Sequence, residues 1–309
     1  MGRILLVVAI VVIVVPALLS VLGSLMNSGG GGGGTTVGGD TPYANEDYQV
    51  PAADKNPPPL PQPKTLDEAQ QMISANAIYS ATVARPVRCE LQPVRAGQSN
   101  AQQQALYEDF MACLMRVWGP TLQSQGFVAV RPTVTVYSSP VKSACGDTSM
   151  LNASYCGADQ QVYVASNVLQ VVPSNLRNSP FLIETILAHE FGHAIQARTG
   201  ILVSEFVLED RATGTPAKNL LSRRTETQAD CFAGQFIGSV AQSLQLTQPD
   251  ITNIGQLMFE IGDDQLTGRA DVDGNHGHGA SRKYWVEMGM ASPQSTQCNT
   301  FTAQPNLVR

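Results

Sequence analysis

The sequence contains no run rich in lysine or arginine. Its 309 residues carry 19 Lys and Arg against 25 Asp and Glu, for a formal net charge of −6 at pH 7. Binding to nucleic acid requires a basic face that meets the phosphates. The charge balance therefore argues against a nucleic-acid partner, and the 43% hydrophobic content is that of an ordinary globular core.

The sequence also lacks a C-x-x-C pair, which argues against a cysteine zinc site and against a thioredoxin-type redox motif. No cysteine lies near the end of the N-terminal apolar run, so no lipid-modified cysteine is expected there. The six cysteines form an even set, which in an exported chain is typical of disulfide bridges. We expect the bridges Cys89–Cys113, Cys145–Cys156 and Cys231–Cys298.

Residues 1–26 are almost entirely apolar after Arg3. A membrane-spanning helix needs about 20 apolar residues, whereas the apolar core of a cleaved signal peptide is normally ~7–15 residues long. We therefore predict an uncleaved transmembrane helix at 1–26, with secretion after cleavage as the alternative. With Arg3 on the inside, the rest of the chain would lie outside the cytoplasmic membrane.

Residues 27–64 are predicted to be a linker. They contain six consecutive glycines (29–34) and a later group of prolines, which favour flexible or extended chain. The globular domain is predicted to cover 65–309. It opens with a capping box at Thr65, which indicates a helix over about 66–79.

A second helix is expected over 102–117, because its apolar residues recur at helical spacing and Gly119-Pro120 follows. Residues 133–137 and 161–165 alternate and are rich in β-branched and aromatic side chains, which predicts two strands. We expect the second strand to lie at a sheet edge bordering the site, where an extended peptide could pair with it.

The segment 189–193 has the pattern H-E-x-x-H. Its histidines, His189 and His193, are four residues apart and share one face of a helix. Two imidazole nitrogens at that spacing can bind one zinc ion at ~2.0–2.1 Å. Zinc acidifies a bound water, and Glu190 is placed to accept its proton. The alternative is a coincidental match in an ordinary buried helix.

The motif lies in a predicted helix that begins at Ser179-Pro180 and ends at Gly200. Gly192 interrupts this helix at a cost of about 1 kcal/mol relative to alanine. That cost is easier to explain if another backbone or side chain must approach the helix closely at this point.

A catalytic zinc site has three protein ligands and a water. The candidates for the third ligand are His276, His278 and several acids, of which Glu226 is the best. It opens a helix predicted over 222–243, where Glu226 and Asp230 share one face. One carboxylate could bind zinc while the other hydrogen-bonds a ligand histidine. The alternative is an exposed acid pair beside two arginines.

These motifs resemble the bacterial neutral zinc metallopeptidases, a branch of the gluzincin-type zincins. The resemblance covers residues 145–301, about half of the chain. It rests on ordered blocks around the zinc motif: SACG (143–146), YCGADQQVYV (155–164), ILAHEFGHAIQ (186–196), ETQADCFAG (226–234), IGDDQ (261–265), HGHGASRKYW (276–285) and QCNTF (297–301).

The resemblance implies an α+β, zincin-like metallopeptidase domain that binds Zn²⁺. It implies that His189, His193 and Glu226 are the metal ligands, that Glu190 is the catalytic base, and that Asp230 supports a ligand. In such a domain we expect a small, mostly antiparallel sheet packed on the zinc helix and a partner helix.

The resemblance also places His276 on a His-Gly motif of the family, from which we expect it to stabilise an oxyanion. Its alternative is a capping or loop histidine, and we assign no role to His278. Residues 271–275 begin like a calcium loop, but position six is His276 and position twelve is Arg282, so we expect a turn.

The sequence therefore predicts a membrane-anchored zinc peptidase whose partner is a peptide or protein substrate. A non-catalytic, zinc-stabilised module of the cell envelope is the second hypothesis. A closed structural site would need no base, so Glu190 favours the enzyme. The third hypothesis is a scaffold that binds partners through its N-terminal half.

Overall fold

Long helices carry the candidate site, and the strands of the protein are short. The computed structural model describes residues 42–92, 94 and 98–309. The helices are α1 (Leu66–Ser74), α2 (Asn100–Ser124), α3 (Leu182–Arg198), α4 (Ile201–Arg211), α5 (Thr215–Val240), α6 (Gln248–Glu260), α7 (Asp263–Thr267) and α8 (Gly279–Ala291). The strands are β1 (Ala53–Asp54), β2 (Arg131–Pro132), β3 (Val134–Tyr137), β4 (Lys142–Ser143), β5 (Gly146–Asp147), β6 (Ala153–Cys156) and β7 (Gln161–Ala165). The α+β class is confirmed.

The main sheet has three strands in the order β3-β7-β6. Strand β7 pairs parallel to β3 and antiparallel to β6. The expectation of a mostly antiparallel sheet is therefore wrong, and the sheet is mixed. The intervening strand β6 reverses the chain, so that β7 runs beside β3 in the same direction.

Strand β7 matches the predicted 161–165, but its predicted place at the sheet edge is wrong. All five of its residues are buried, and it lies between two partners. A strand that is apolar on both faces is typical of such a central position. The two edges of the sheet are β3 and β6, and β6 packs on α3.

Helix α2 continues through Gly119-Pro120, where the sequence predicts an end. A proline removes the hydrogen bond to the carbonyl four residues earlier, which here belongs to Arg116. The side chain of Asn45 donates to that carbonyl at 2.9 Å. The ring of Tyr48 lies against Gly119 and leaves no room for a β-carbon. An upstream segment therefore compensates for the proline.

The compact unit begins at Tyr43, earlier than the predicted domain start at Thr65. Residues 43–64 include prolines that pack on the domain, and the carbonyl of Pro58 accepts hydrogen bonds from Gln160 and Arg198. The predicted transmembrane helix at 1–26 and linker residues 27–41 lie outside the described residues. In the part of the chain that the structure describes, no helix has the length and apolarity to cross a membrane.

The helix that holds the H-E-x-x-H motif begins at Leu182, two residues after the predicted start. Phe181 adopts a left-handed conformation with φ of 64°, which interrupts helical backbone. The helix ends at Arg198, and Gly200 with φ of 79° turns the chain directly into α4.

The six cysteines form the three predicted bridges, with Cα–Cα separations of 5.5–5.7 Å. The Cys231–Cys298 bridge ties the C-terminal segment to α5. Helix α5 packs along both α3 and α8. These three helices bring together the side chains that the motifs single out.

Candidate metal centre

Two helices supply a cluster of three side chains with metal-binding atoms. His189 and His193 project from α3, and Glu226 projects from α5. One donor atom from each lies within 4.8 Å of the others. His189 Nε2 is 3.2 Å from Glu226 Oε2, and His193 Nε2 is 3.6 Å from Glu226 Oε1.

These separations fit one zinc ion. Donors at ~2.0–2.1 Å in tetrahedral geometry are about 3.3 Å apart. The second ring nitrogen of each histidine is already engaged. His189 Nδ1 lies 2.7 Å from Asp230 Oδ1, and His193 Nδ1 lies 2.8 Å from Gln196 Oε1. Both Nε2 atoms therefore face Glu226, and acceptors at Nδ1 favour the tautomer in which Nε2 has a free lone pair.

Asp230 is fully buried and links the cluster to α8. Arg282 donates to both of its carboxylate oxygens, from Nε to Oδ2 at 3.0 Å and from Nη2 to Oδ1 at 2.9 Å. Burial alone would raise the pKa of Asp230, but the charges of Arg282 and His189 lower it below its ordinary value. The carboxylate therefore stays charged and holds the His189 ring in place.

The charges around the histidines favour a cation. Burial disfavours the protonated form of His189, but Asp230 and Glu226 outweigh burial and raise its pKa to about 10. Burial likewise opposes charge on Glu226, yet its histidine neighbours hold its pKa well below the ordinary value. A group of carboxylates that attracts protons this strongly also suits a divalent ion. The residues present thus fit the metal that the motif predicts.

The carboxylate of Glu190 lies in the same cleft as the cluster. The cleft has a volume of about 350 Å³ and is lined by both histidines, Glu226, Arg282 and residues 151–155. Glu190 is only 6% exposed. Within the described residues, its carboxylate forms no side-chain hydrogen bond or ion pair, so its oxygens are available to a water in the cleft.

His276 also lines this cleft, on the loop before α8. Its backbone N–H donates to Asp263 Oδ2 at 2.9 Å, and its Nδ1 lies 3.5 Å from Asp263 Oδ1. The bond to Asp263 raises the pKa of the ring. Its side chain is about half exposed, with a relative accessibility of 51%. The His276 ring therefore offers the cleft an N–H donor.

The neighbouring His278 is buried, and its Nε2 lies 2.7 Å from the carbonyl oxygen of Val272. The His278 ring therefore contacts backbone, and it does not line the cleft. The turn predicted at 271–275 contains no helix or strand. There the carboxylate of Asp273 pairs with Arg223 at 2.6 Å.

Gly192 marks the closest approach of α3 and α5. A β-carbon at this position would lie 2.9 Å from Ala229 Cα and 3.0 Å from Ala229 O. Real β-carbons do not approach backbone so closely, so glycine is needed for this packing. Ala229 lies between Glu226 and Asp230 on α5, and the close contact therefore sets how far both carboxylates reach toward the histidines.

Sequence reasoning did not single out Arg282 or Gln196 as site residues. Arg282 lies within the block HGHGASRKYW, and Gln196 within ILAHEFGHAIQ, so both lie in segments that carry the family resemblance. Arg282 has no spacing signal, because its bond to Asp230 spans 52 residues of sequence. Gln196 lies three residues after His193 on the same helix, and this spacing could have identified it.

Comparisons with known proteins agree with the family resemblance of the sequence motifs. A family model described as "putative neutral zinc metallopeptidase" matches residues 70–301. Uncharacterized protein YpfJ of Escherichia coli (strain K12) is 31% identical over 218 residues, which cover 68% of this chain and 76% of that protein. Uncharacterized protein Rv2575 of Mycobacterium tuberculosis (strain ATCC 25618 / H37Rv) is 30% identical over 205 residues, which cover 60% of this chain and 67% of that protein. No solved structure matches the chain. Because the family model spans well over half of the sequence, the chain belongs to the family described as "putative neutral zinc metallopeptidase".

Proposed function

We propose that the protein is a zinc-dependent peptidase that hydrolyses peptide bonds with water. The proposal is carried by one observation: a three-donor cluster and an unengaged carboxylate, Glu190, line the same cleft. His189, His193 and Glu226 would hold the ion. Zinc bound there would supply Lewis-acid polarisation of a water molecule and of the substrate carbonyl.

The chain's own groups then have distinct roles. Glu190 accepts a proton from the attacking water and returns it to the leaving amine. Asp230 orients the ring of His189, and Gln196 orients that of His193. His276, which lines the cleft, would donate a hydrogen bond to the negative charge that develops on the carbonyl oxygen.

Strand β6 supports a role in holding an extended peptide. The carbonyl oxygen of Asn152 accepts from Ala165 N at 2.9 Å, so Asn152 directs its backbone groups toward β7. Because directions alternate in an antiparallel pair, Ala153 and Tyr155 turn their N–H and C=O groups to the open edge. Residues 152–155 also line the cleft. A substrate strand can therefore pair with this edge through main-chain bonds.

Two exposed leucines at the cleft favour substrates with accessible apolar side chains. Leu151 is 44% exposed and Leu266 is 52% exposed, and both line the cleft. Solvent-exposed apolar residues beside a binding groove offer contact area to a partner. Together with the open edge of β6, they favour an unfolded or flexible peptide segment over a folded domain.

The proposal includes a location outside the cytoplasmic membrane. Three disulfide bridges support an oxidising compartment. The apolar segment 1–26 would be the membrane anchor, with secretion as the alternative. The proposed partners are thus a peptide or protein substrate and, through segment 1–26, the membrane.

The test uses the full chain in detergent, its zinc content and a library of quenched fluorescent peptides. Glu190→Gln should keep about one zinc per chain, because Glu190 is outside the donor cluster, and it should lower the hydrolysis rate by at least ~10²-fold. Glu287→Gln is the matched control, because Glu287 lies on α8 and pairs with Lys283. It should change neither the zinc content nor the hydrolysis rate. Activity near wild type in Glu190→Gln would mean a different base. Zinc binding without cleavage of any peptide would favour the non-catalytic module.

A further inference from the structure

A second cavity, of about 580 Å³, adjoins the metal cluster. His193, Glu226 and Tyr155 line both this cavity and the cleft that contains Glu190. The cleft lies along the start of β6, whereas the second cavity follows the strand's end at Gly157-Ala158. A peptide that runs along β6 past the cluster would therefore place one of its side chains in the second cavity.

One wall of this cavity is formed by Glu205 of α4. Glu205 is 2% exposed, and its Oε1 is buried without a hydrogen-bond partner. Elsewhere in the described chain Glu205 forms no side-chain hydrogen bond or ion pair. Buried polar atoms in folded proteins are nearly always paired, so an unpaired carboxylate at a cavity wall calls for a ligand. The natural partner of a carboxylate is a cationic donor.

Two carboxylates of the cavity wall, those of Glu205 and Glu209, lie outside the metal cluster. The described lining contains no lysine or arginine that could pair with them. Burial, together with the charges of Glu209 and Glu226, raises the pKa of Glu205 to about 8. A bound cation would relieve this repulsion and satisfy the unpaired oxygen.

The lining also contains apolar side chains, beside polar ones such as Ser222 and Thr225. Leu202 is buried in the wall, and Phe206 is 57% exposed. Lysine and arginine combine an aliphatic stem with a charged end, so they match apolar walls that end at a carboxylate. An apolar residue would leave Glu205 unpaired. A second metal ion is disfavoured because, within the described residues, the only group of three metal-binding side chains is the cluster already described.

We propose that this cavity binds the ammonium or guanidinium side chain of a substrate residue close to the scissile bond, with Glu205 as the specificity-determining residue. The inference rests on the proposed peptidase function. It adds a substrate class, namely peptides with lysine or arginine at one defined position, which the metal cluster alone does not specify.

The first arm of the test measures kcat/KM for peptides in which each position flanking the cleavage site carries lysine or its uncharged analogue norleucine. The wild type should prefer lysine by about tenfold or more at one position. Glu205→Gln, which keeps the side-chain shape, should bring that ratio close to one. Glu287→Gln should leave the ratio unchanged.

The second arm measures binding, so that it does not depend on hydrolysis. In the Glu190→Gln background, the lysine peptide should bind at least about tenfold tighter than the norleucine peptide by fluorescence anisotropy. Adding Glu205→Gln should remove the difference. Failure of all hydrolysis with this binding pattern intact would refute the peptidase function alone. Two results would overturn the inference. One is equal binding of both peptides by the chain with Glu205 intact, which requires no substitution at Glu205. The other is a preference for lysine that survives Glu205→Gln.

Discussion

Replacing Arg282 by methionine should damage both the fold and the metal site. Arg282 is buried and donates two hydrogen bonds to the fully buried carboxylate of Asp230, at 2.9 and 3.0 Å, and a third to the carbonyl of Ile261 at 3.2 Å. Methionine is similar in length and apolar, so it fills the space without the charge. Among the described residues, the carboxylate of Asp230 then keeps His189 as its remaining side-chain partner.

The expected magnitude follows from the burial of both groups. Removing one partner of a buried ion pair costs ~3–5 kcal/mol, because the other charge remains uncompensated. In a domain of this size, 1 kcal/mol corresponds to ~2–4 °C in Tm, so the Tm should fall by roughly 6–20 °C. Zinc affinity should fall by ~10–100-fold, as for other residues that orient a metal-binding histidine.

The assay separates the two effects. Urea unfolding in the presence of a chelator reports the stability of the metal-free protein, and competition with a zinc-binding dye reports the affinity. The double variant Asp230→Asn/Arg282→Met removes both charges and should recover ~1–3 kcal/mol relative to Arg282→Met alone. Its zinc affinity should stay low, since His189 has lost its charged acceptor. An Arg282→Met protein with wild-type stability and wild-type zinc affinity would refute this reasoning.

Three further predictions concern packing, pH and substrate binding. Gly192→Ala should lower the free energy of unfolding by about 1 kcal/mol or more and weaken zinc binding, because its β-carbon would meet the backbone of Ala229. Gly255→Ala is the control, because its β-carbon meets only the flexible side-chain ends of Glu287 and Lys283. Equal effects of both substitutions would contradict this packing. Glu205 has a folded pKa of about 8 against ~4.3 unfolded, so the metal-free wild type should lose stability as pH rises between these values. The stabilising effect of Glu205→Gln should therefore grow from pH 5 to pH 9 by up to a few kcal/mol in urea unfolding, and a pH-independent effect would show that Glu205 is not perturbed. Proline placed in turn at each substrate position should reduce cleavage at alternate positions, because proline lacks the N–H that pairs with β6; uniform tolerance would exclude strand addition.

The features that could be predicted from sequence are those with a local signal. The spacing of His189 and His193 predicts their shared helix face, and Gly192 predicts a close approach that the structure places at Ala229. Strand β7 was predictable from its composition. Helix α5 was predictable around Glu226, although it begins at Thr215, seven residues before the predicted start.

The features that could not be predicted depend on contacts between distant segments. The end predicted for α2 at Pro120 fails because Asn45, 71 residues upstream of Arg116, supplies the missing hydrogen bond. The edge position of β6 depends on strand order, which the composition of β7 does not reveal. Glu205 looks like an ordinary helical acid in sequence, and only its burial makes it unusual.

Helix packing, more than any loop, determines the geometry of the metal cluster. Helices α5 and α8 approach so closely that a β-carbon at Gly289 would overlap the backbone of Cys231. The neighbouring residue Asp230 receives the bonds of Arg282 from α8 at this same contact. The disulfide from Cys231 to Cys298 fixes the following segment to α5. Because Asp230 in turn orients His189, a displacement of α8 would reach the metal site through the hydrogen bonds from Arg282 to Asp230 and from Asp230 to His189.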